Sequence, residues 1–200
     1  MSDNEGGCDI AAAGLLIADG LNDQNFGVRD LAEERAHVIQ VTDARAAFCQ
    51  LVLSTTGHLT FDYLPFTGRA TSPAALAGII AAVLGHGPAQ VPAGAWPGPT
   101  LLGAAGRLLR SLGLHVTLGP AGPNNDFCEV HTHLTITSPD HPTRGTVSLS
   151  DDAMVVWECR LGPPAGLDAP DIAAAIGSAL SRLQYPGHPG PATSRHLATA

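Results

Sequence analysis

The sequence predicts an α+β fold: antiparallel sheets with helices on one side, organised as two related β-hairpin/helix halves. Three observations predict it. Apolar residues alternate at period 2 in some stretches and recur at i, i+3, i+4 in others. Gly, Pro and Asn punctuate the boundaries between these stretches. The chain also matches its own pattern when shifted by 96 residues.

Ile10–Leu21 reads as a helix, with Ile10, Leu15, Leu16 and Ile17 set among alanines. Val28–Ala36 reads as a second short helix, because Asp30, Glu33 and Glu34 precede Arg35 in the order a helix dipole favours. His37–Thr42, Ala47–Ser54 and His58–Phe66 read as strands, the last two joined by a turn at Thr56-Gly57. Ser72 and Pro73 open a helix carrying Leu76, Ile79, Ile80, Val83 and Leu84, and Gly85 closes it. Residues 85–99 are rich in Gly and Pro and read as the linker.

In the second half Thr100 caps a helix over Leu101–Leu112, and His115–Leu118 is a short strand. Phe127–Thr137 alternates clearly: Cys128, Val130, Thr132, Leu134 and Ile136 face one way, and Glu129, His131, His133 and Thr135 the other. Thr146–Ser150 and Ala153–Leu161 form a hairpin around Asp151-Asp152, and Asp168 caps a helix over Asp171–Leu183. The halves are thus 10–90, a β-β-β-α unit with N-terminal helices, and 99–184, a helix-β-β-β-α unit. Residues 185–200 read as a flexible tail.

The offset of 96 aligns His37-Val38 with His133-Leu134, Leu53 with Leu149, Phe61 with Trp157, Asp62 with Glu158, and Ile80 with Ile176. A duplicated module explains this physically. One sheet with one helix buries too little apolar surface alone, and two such units together can share a core.

Composition excludes several functions. All ten bases are Arg, so Schiff-base lysine chemistry and a P-loop are absent. A net charge of −8 with scattered Arg makes nucleic-acid binding unlikely. The longest apolar run, Ala74–Leu84, is too short to span a bilayer, and the acidic start lacks the basic region of a signal peptide. A cytoplasmic location is expected. The Ala/Gly/Arg bias without Lys points to GC-rich bacterial coding. Cys8, Cys49, Cys128 and Cys159 are widely spaced without CxxC and read as reduced thiols.

No motif identifies an enzyme: there is no GxSxG, HExxH or strand-following GxGxxG. The sharpest local feature is Glu129-x-His131-x-His133. Period 2 places all three on one strand face, with the imidazoles about 6.5–7 Å apart along the strand. One metal ion could be reached if His37, His115, His141 or Glu158 supplied a further ligand. The alternative for this face is a polar interface formed by His131, His133 and Thr135. Asp62 and Glu158 form a possible acid pair only if their side chains meet across strands. No cofactor is implied by any motif.

The order helix, strands, helix, strands, helix resembles small secretion-chaperone-like folds, and that resemblance implies binding rather than catalysis. The expectation is therefore a non-catalytic protein-binding or scaffold/chaperone-like protein. Its partner would be a second copy, as a homodimer, or another protein, joined through a sheet edge or the His131/His133 face. Charged residues make up only 14% of the chain, low for a surface that stays alone in water. The alternative is a small metal-dependent enzyme or metal-binding protein using Glu129, His131 and His133.

Overall fold

A computed structural model describes residues 9–33, 36–66, 72–86, 100–119, 132–162 and 166–181. The first half contains helix α1 (Ile10–Asp23), strands β1 (Gly27–Glu33), β2 (Ala36–Thr42), β3 (Ala46–Ser54) and β4 (His58–Pro65), and helix α2 (Pro73–Val83). The second contains α3 (Leu101–Ser111), β5 (His115–Gly119), β6 (His133–Thr137), β7 (Thr146–Ser150), β8 (Val155–Arg160) and α4 (Ala169–Ser181), with a single 3-10 turn at Pro142–Arg144. The fold is α+β: one eight-stranded antiparallel sheet flanked by helices.

Each helix starts on a side-chain cap. Asp9 accepts from the Ala12 N–H at 3.1 Å, Ser72 from Ala75 at 3.1 Å, Thr100 from Gly103 at 3.1 Å and Asp168 from Asp171 at 2.9 Å. These caps satisfy N–H groups that the first helical turn leaves free.

The strand order is β1-β2-β3-β4-β8-β7-β6-β5, with every neighbour antiparallel. The halves meet edge to edge at β4 and β8. In that seam Phe61 lies opposite Trp157, and these residues are 96 apart in the chain. A pseudo-twofold axis therefore passes between them. The two hairpins obey the same offset, since Cys49↔Tyr63 and Leu51↔Phe61 in β3–β4 match the register Val147↔Trp157 in β7–β8. Helices α2 and α4 start 96 residues apart, at Pro73 and Ala169.

Beyond the hairpins the correspondence slips. Leu53 pairs with His37, whereas its counterpart Leu149 pairs with Leu134. His37 therefore corresponds to Leu134, not to His133, because the β6–β7 connection is one residue shorter.

A second correction concerns the helix expected over Val28–Ala36. Its described residues are not helical: Gly27–Glu33 is an edge strand paired along its length with β2, and Ala36 begins β2. The acid-then-base order mimicked a helix dipole, but Val28 opposite Val41 gains more from the sheet than from an isolated short helix. Each half is consequently a helix, four strands and a helix.

The sheet's two faces differ sharply. Ile39, Leu51, Leu53, Phe61, Tyr63, Val147, Leu149, Val155 and Trp157 share one face and are fully buried under the helices. The helices pack in the order α1, α4, α2, α3. Helix α1 approaches α4 closely enough that a methyl group on Gly20 would sit 2.8 Å from the Ala173 Cβ. Gln24 bonds the two helices with its amide, donating to the Gly20 and Ala173 carbonyls at 2.9 and 3.2 Å. One continuous core results, extending from Ala13 to Leu180.

Candidate functional site

The opposite face of the sheet is the main candidate surface. Reading across the strands in register, one row is Arg29, Gln40, Gln50, Asp62, Val156, Ser148, Thr135 and Thr117. The six central members are half-buried, and Arg29 and Thr117 at the edges are exposed. Strand alternation explains the row: every residue that points away from Phe61 and Trp157 falls on this face. A neighbouring row ends in apolar side chains, with Phe48 opposite Leu64 and Phe48 39% exposed.

His133 and Thr135 lie on this face in β6. His133 sits between Gly119 and Ser150, its ring so close over Gly119 that an added Cβ would be 2.3 Å from Nε2. Thr135 lies between Thr117 and Ser148, and the Thr117 hydroxyl donates to the Thr135 carbonyl at 3.3 Å. Strand β6 is flanked by β5 and β7, so His133–Thr137 lies inside the sheet rather than at its edge. Its backbone groups are already used within the chain. Glu129 and His131 lie outside the described residues, as do Cys8, Cys128 and the tail 185–200.

The further metal ligands considered do not converge on His133. His37 is on the helix-covered face, 6% exposed, with Nε2 2.8 Å from Asp30 Oδ1. His115 pairs opposite Thr137, at the other end of β5 from the Gly119 that lies beside His133. Glu158 is in β8, with its carboxylate 3.9 Å from His58 Nε2. Among the described residues no group of three His, Cys, Asp or Glu could hold a metal ion.

Asp62 and Glu158 lie near each other across the seam. Asp62 is opposite Val156 and Glu158 opposite Thr60, so the two acids are diagonal neighbours on the uncovered face, related by the pseudo-twofold axis. Burial raises the Asp62 pKa, and the Glu158 charge raises it further. This is like-charge crowding on a half-dry surface, the usual reason a carboxyl holds its proton longer.

Three polar clusters escaped the sequence reading. Asp43, at the β2–β3 turn, accepts from Arg45 Nε at 2.8 Å, and Arg45 also donates to the Leu180 carbonyl, tying the turn to the end of α4. Asp30 and His37 form the second. In the third, His86 Nε2 lies 3.0 Å from Ser138 Oγ, while the His141 N–H donates to that Oγ at 3.1 Å. Ser138 is 3% exposed, and its hydroxyl links His86 to the turn into residues 142–144. The Asp43-x-Arg45 spacing is the one sequence signal that could have found the first; the other two pairings join residues whose proximity only the fold creates.

Cys49 and Cys159 are free and buried under the helices. Burial pushes both thiols up to about 12, which removes the thiolate needed for nucleophilic chemistry. No described helix is long and apolar enough to cross a membrane. No family model, curated protein or solved structure matches the chain.

Proposed function

We propose that this is a non-catalytic protein-binding protein, scaffold- or chaperone-like and self-associating, whose uncovered sheet face receives a protein partner. The observation that carries this reading is the sidedness of the sheet. All four described helices serve one face, and the other offers eight strands of Thr, Ser, Gln and Val with only Arg29, Asp62, Glu158 and Arg160 as described charges. Eight strands about 4.8 Å apart make that face about 34 Å wide, and its five-residue strands are about 17 Å long. The resulting area, about 580 Å², is roughly 70% of the 800 Å² or so that each partner contributes to a standard protein interface. The scarcity of charge on this face also fits an interface core, where charged residues are depleted. The metal alternative depends on Glu129 and His131, and no described residue completes it.

The test compares the protein with a Thr60→Arg, Ser148→Arg double variant, which places two bulky charges on the uncovered face without touching the core. Both are used to capture partners from cell extract under identical conditions, after circular dichroism has shown equal folding. A protein retained by the parent and lost by the variant supports the reading. Equal capture by both, or none by either, overturns it.

A further inference from the structure

We propose that β5 is a self-association edge, pairing antiparallel with β5 of a second copy about a twofold axis at Thr117 and extending the eight-stranded sheet to sixteen. The inference rests on the self-association reading above and names the surface that produces it.

Hydrogen-bond parity fixes which groups the edge offers. The Ser150 N–H donates to the Met154 carbonyl at 3.0 Å, so Ser150 and its alternates in β7 point to β8. The intervening residues Leu149 and Val147 therefore point to β6, reaching Leu134 and Ile136. By the same alternation His133, Thr135 and Thr137 point to β5, where His115, Thr117 and Gly119 answer them. Val116 and Leu118 are left with both backbone groups directed away from the sheet. Arg110 Nη2, 3.2 Å from the Val116 carbonyl, is located where that direction requires.

A second copy satisfies these groups in one register. Centring the pair on Thr117 sets Val116 opposite Leu118 of the other copy, and Leu118 opposite Val116. All four outward backbone groups of each strand are then used, and Thr117 faces its own equivalent as a non-hydrogen-bonded pair. The side chains agree with the backbone. Leu118 is 67% exposed, the most exposed large apolar side chain described, and it would lie across from the half-buried Val116. Thr117 against Thr117 is a favourable cross-strand pair on the uncovered face, and His115–Gly119 contains no Asp, Glu, Lys or Arg.

The opposite edge is built otherwise. Strand β1 presents Arg29 and Asp30 at its centre, the charges that natural sheets use to refuse a further strand. At β5 the contact comes from Arg110 of α3, which occupies a single lone pair of the Val116 carbonyl and leaves the other open.

The experiment uses the full chain with Cys8 and Cys128 changed to Ser, and adds Thr117→Cys. Facing residues of a non-hydrogen-bonded pair have Cα atoms about 4.5 Å apart, within disulfide reach. Mild oxidation is expected to convert most of this variant into a disulfide-linked dimer, while Arg29→Cys in the same background stays monomeric. Sedimentation at micromolar concentration is expected to give a dimer for the unmodified chain and a monomer for Leu118→Lys, with matching circular dichroism. A dimer that neither cross-links at position 117 nor responds to Leu118→Lys overturns the β5 edge but leaves self-association standing. A strictly monomeric parent overturns both.

Discussion

In the first half Cys49 lies within β3 opposite Tyr63, just after an irregularity between Ala46 and Phe48 and beneath the helix layer. Its counterpart 96 residues later is Gly145, which closes the turn at Pro142–Arg144 with φ +76° and ψ −145°. The hairpins share register, yet one reaches this position within a strand and the other arrives from a tight turn. The backbone of Gly145 passes so near β8 that a Cβ would lie 2.0 Å from the Glu158 carbonyl oxygen. A duplicated module can thus keep its pairing while rebuilding the connection that leads into it. Pairing register is fixed by which face is buried, and connections are under no such constraint.

Substitution by alanine at these two equivalent sites should separate them most strongly. Gly145→Ala forces a conformation almost restricted to Gly and drives a methyl group into β8, at a cost of about 3 kcal/mol or more. For a chain of this size that lowers the melting temperature by roughly 6–12 °C. Cys49→Ala removes one buried sulfur atom and should cost about 1 kcal/mol. Thermal denaturation of the two variants checks this, and equal losses would mean that the positions are not structurally distinct.

The helices laid over β2 and β6 offer a second contrast. His37 and Leu134 hold corresponding positions, and each meets a helix glycine. A Cβ on Gly14 would be 2.3 Å from the His37 ring, whereas one on Gly106 would be 3.1 Å from the end of Leu134. The imidazole is buried, with Nε2 2.8 Å from Asp30 Oδ1, and has little room to retreat, whereas the Leu134 methyl can swing. Gly14→Ala should therefore destabilise by about 2 kcal/mol in spite of alanine's better helix propensity. Gly106→Ala should be within about 1 kcal/mol of neutral, since propensity offsets the small displacement. Urea unfolding with unchanged m-values would measure both, and a Gly106→Ala loss as large as that of Gly14→Ala would show that α3 is seated as rigidly as α1.

These contrasts also mark what the sequence could disclose. The hairpins around Thr56-Gly57 and Asp151-Asp152 were legible because period-2 alternation and turn residues agree there with the fold. The offset of 96 was legible because Phe61 and Trp157 occupy the same buried register. β1 was not, since an edge strand with one partner has weak alternation, and Asp30, Glu33, Glu34 and Arg35 imitate the charge order of a helix. The offset at His37 failed by one residue because a shortened connection leaves no mark in composition. The uncovered face was partly visible in Thr60, Asp62 and Thr135. Its breadth depends on the β4–β8 seam, which joins residues too far apart in sequence for any local pattern to report.

The smallest contrast lies on the pseudo-twofold axis itself, where Asp62 and Glu158 are equivalent in the fold but unequal in environment. Asp62 is half-buried between the two hairpins, and Glu158 has a side chain 53% exposed. The raised pKa of Asp62 means that the folded state binds its proton more tightly than the unfolded chain does. Its ionised form therefore destabilises the fold at neutral pH, and that cost disappears as pH falls through the folded-state pKa. Asp62→Asn should stabilise the protein at pH 7 by less than about 1 kcal/mol, given the solvent screening at a half-exposed site. The advantage over the parent should shrink steadily on acidification. Burial is the larger cause and the Glu158 charge the smaller, so most of the gain should persist in a Glu158→Gln background. A double-mutant cycle across pH measures the two contributions separately. If the gain from Asp62→Asn vanishes once Glu158 is neutral, the acid pair alone raises the Asp62 pKa and the uncovered face is wetter around Asp62 than its half-buried position implies.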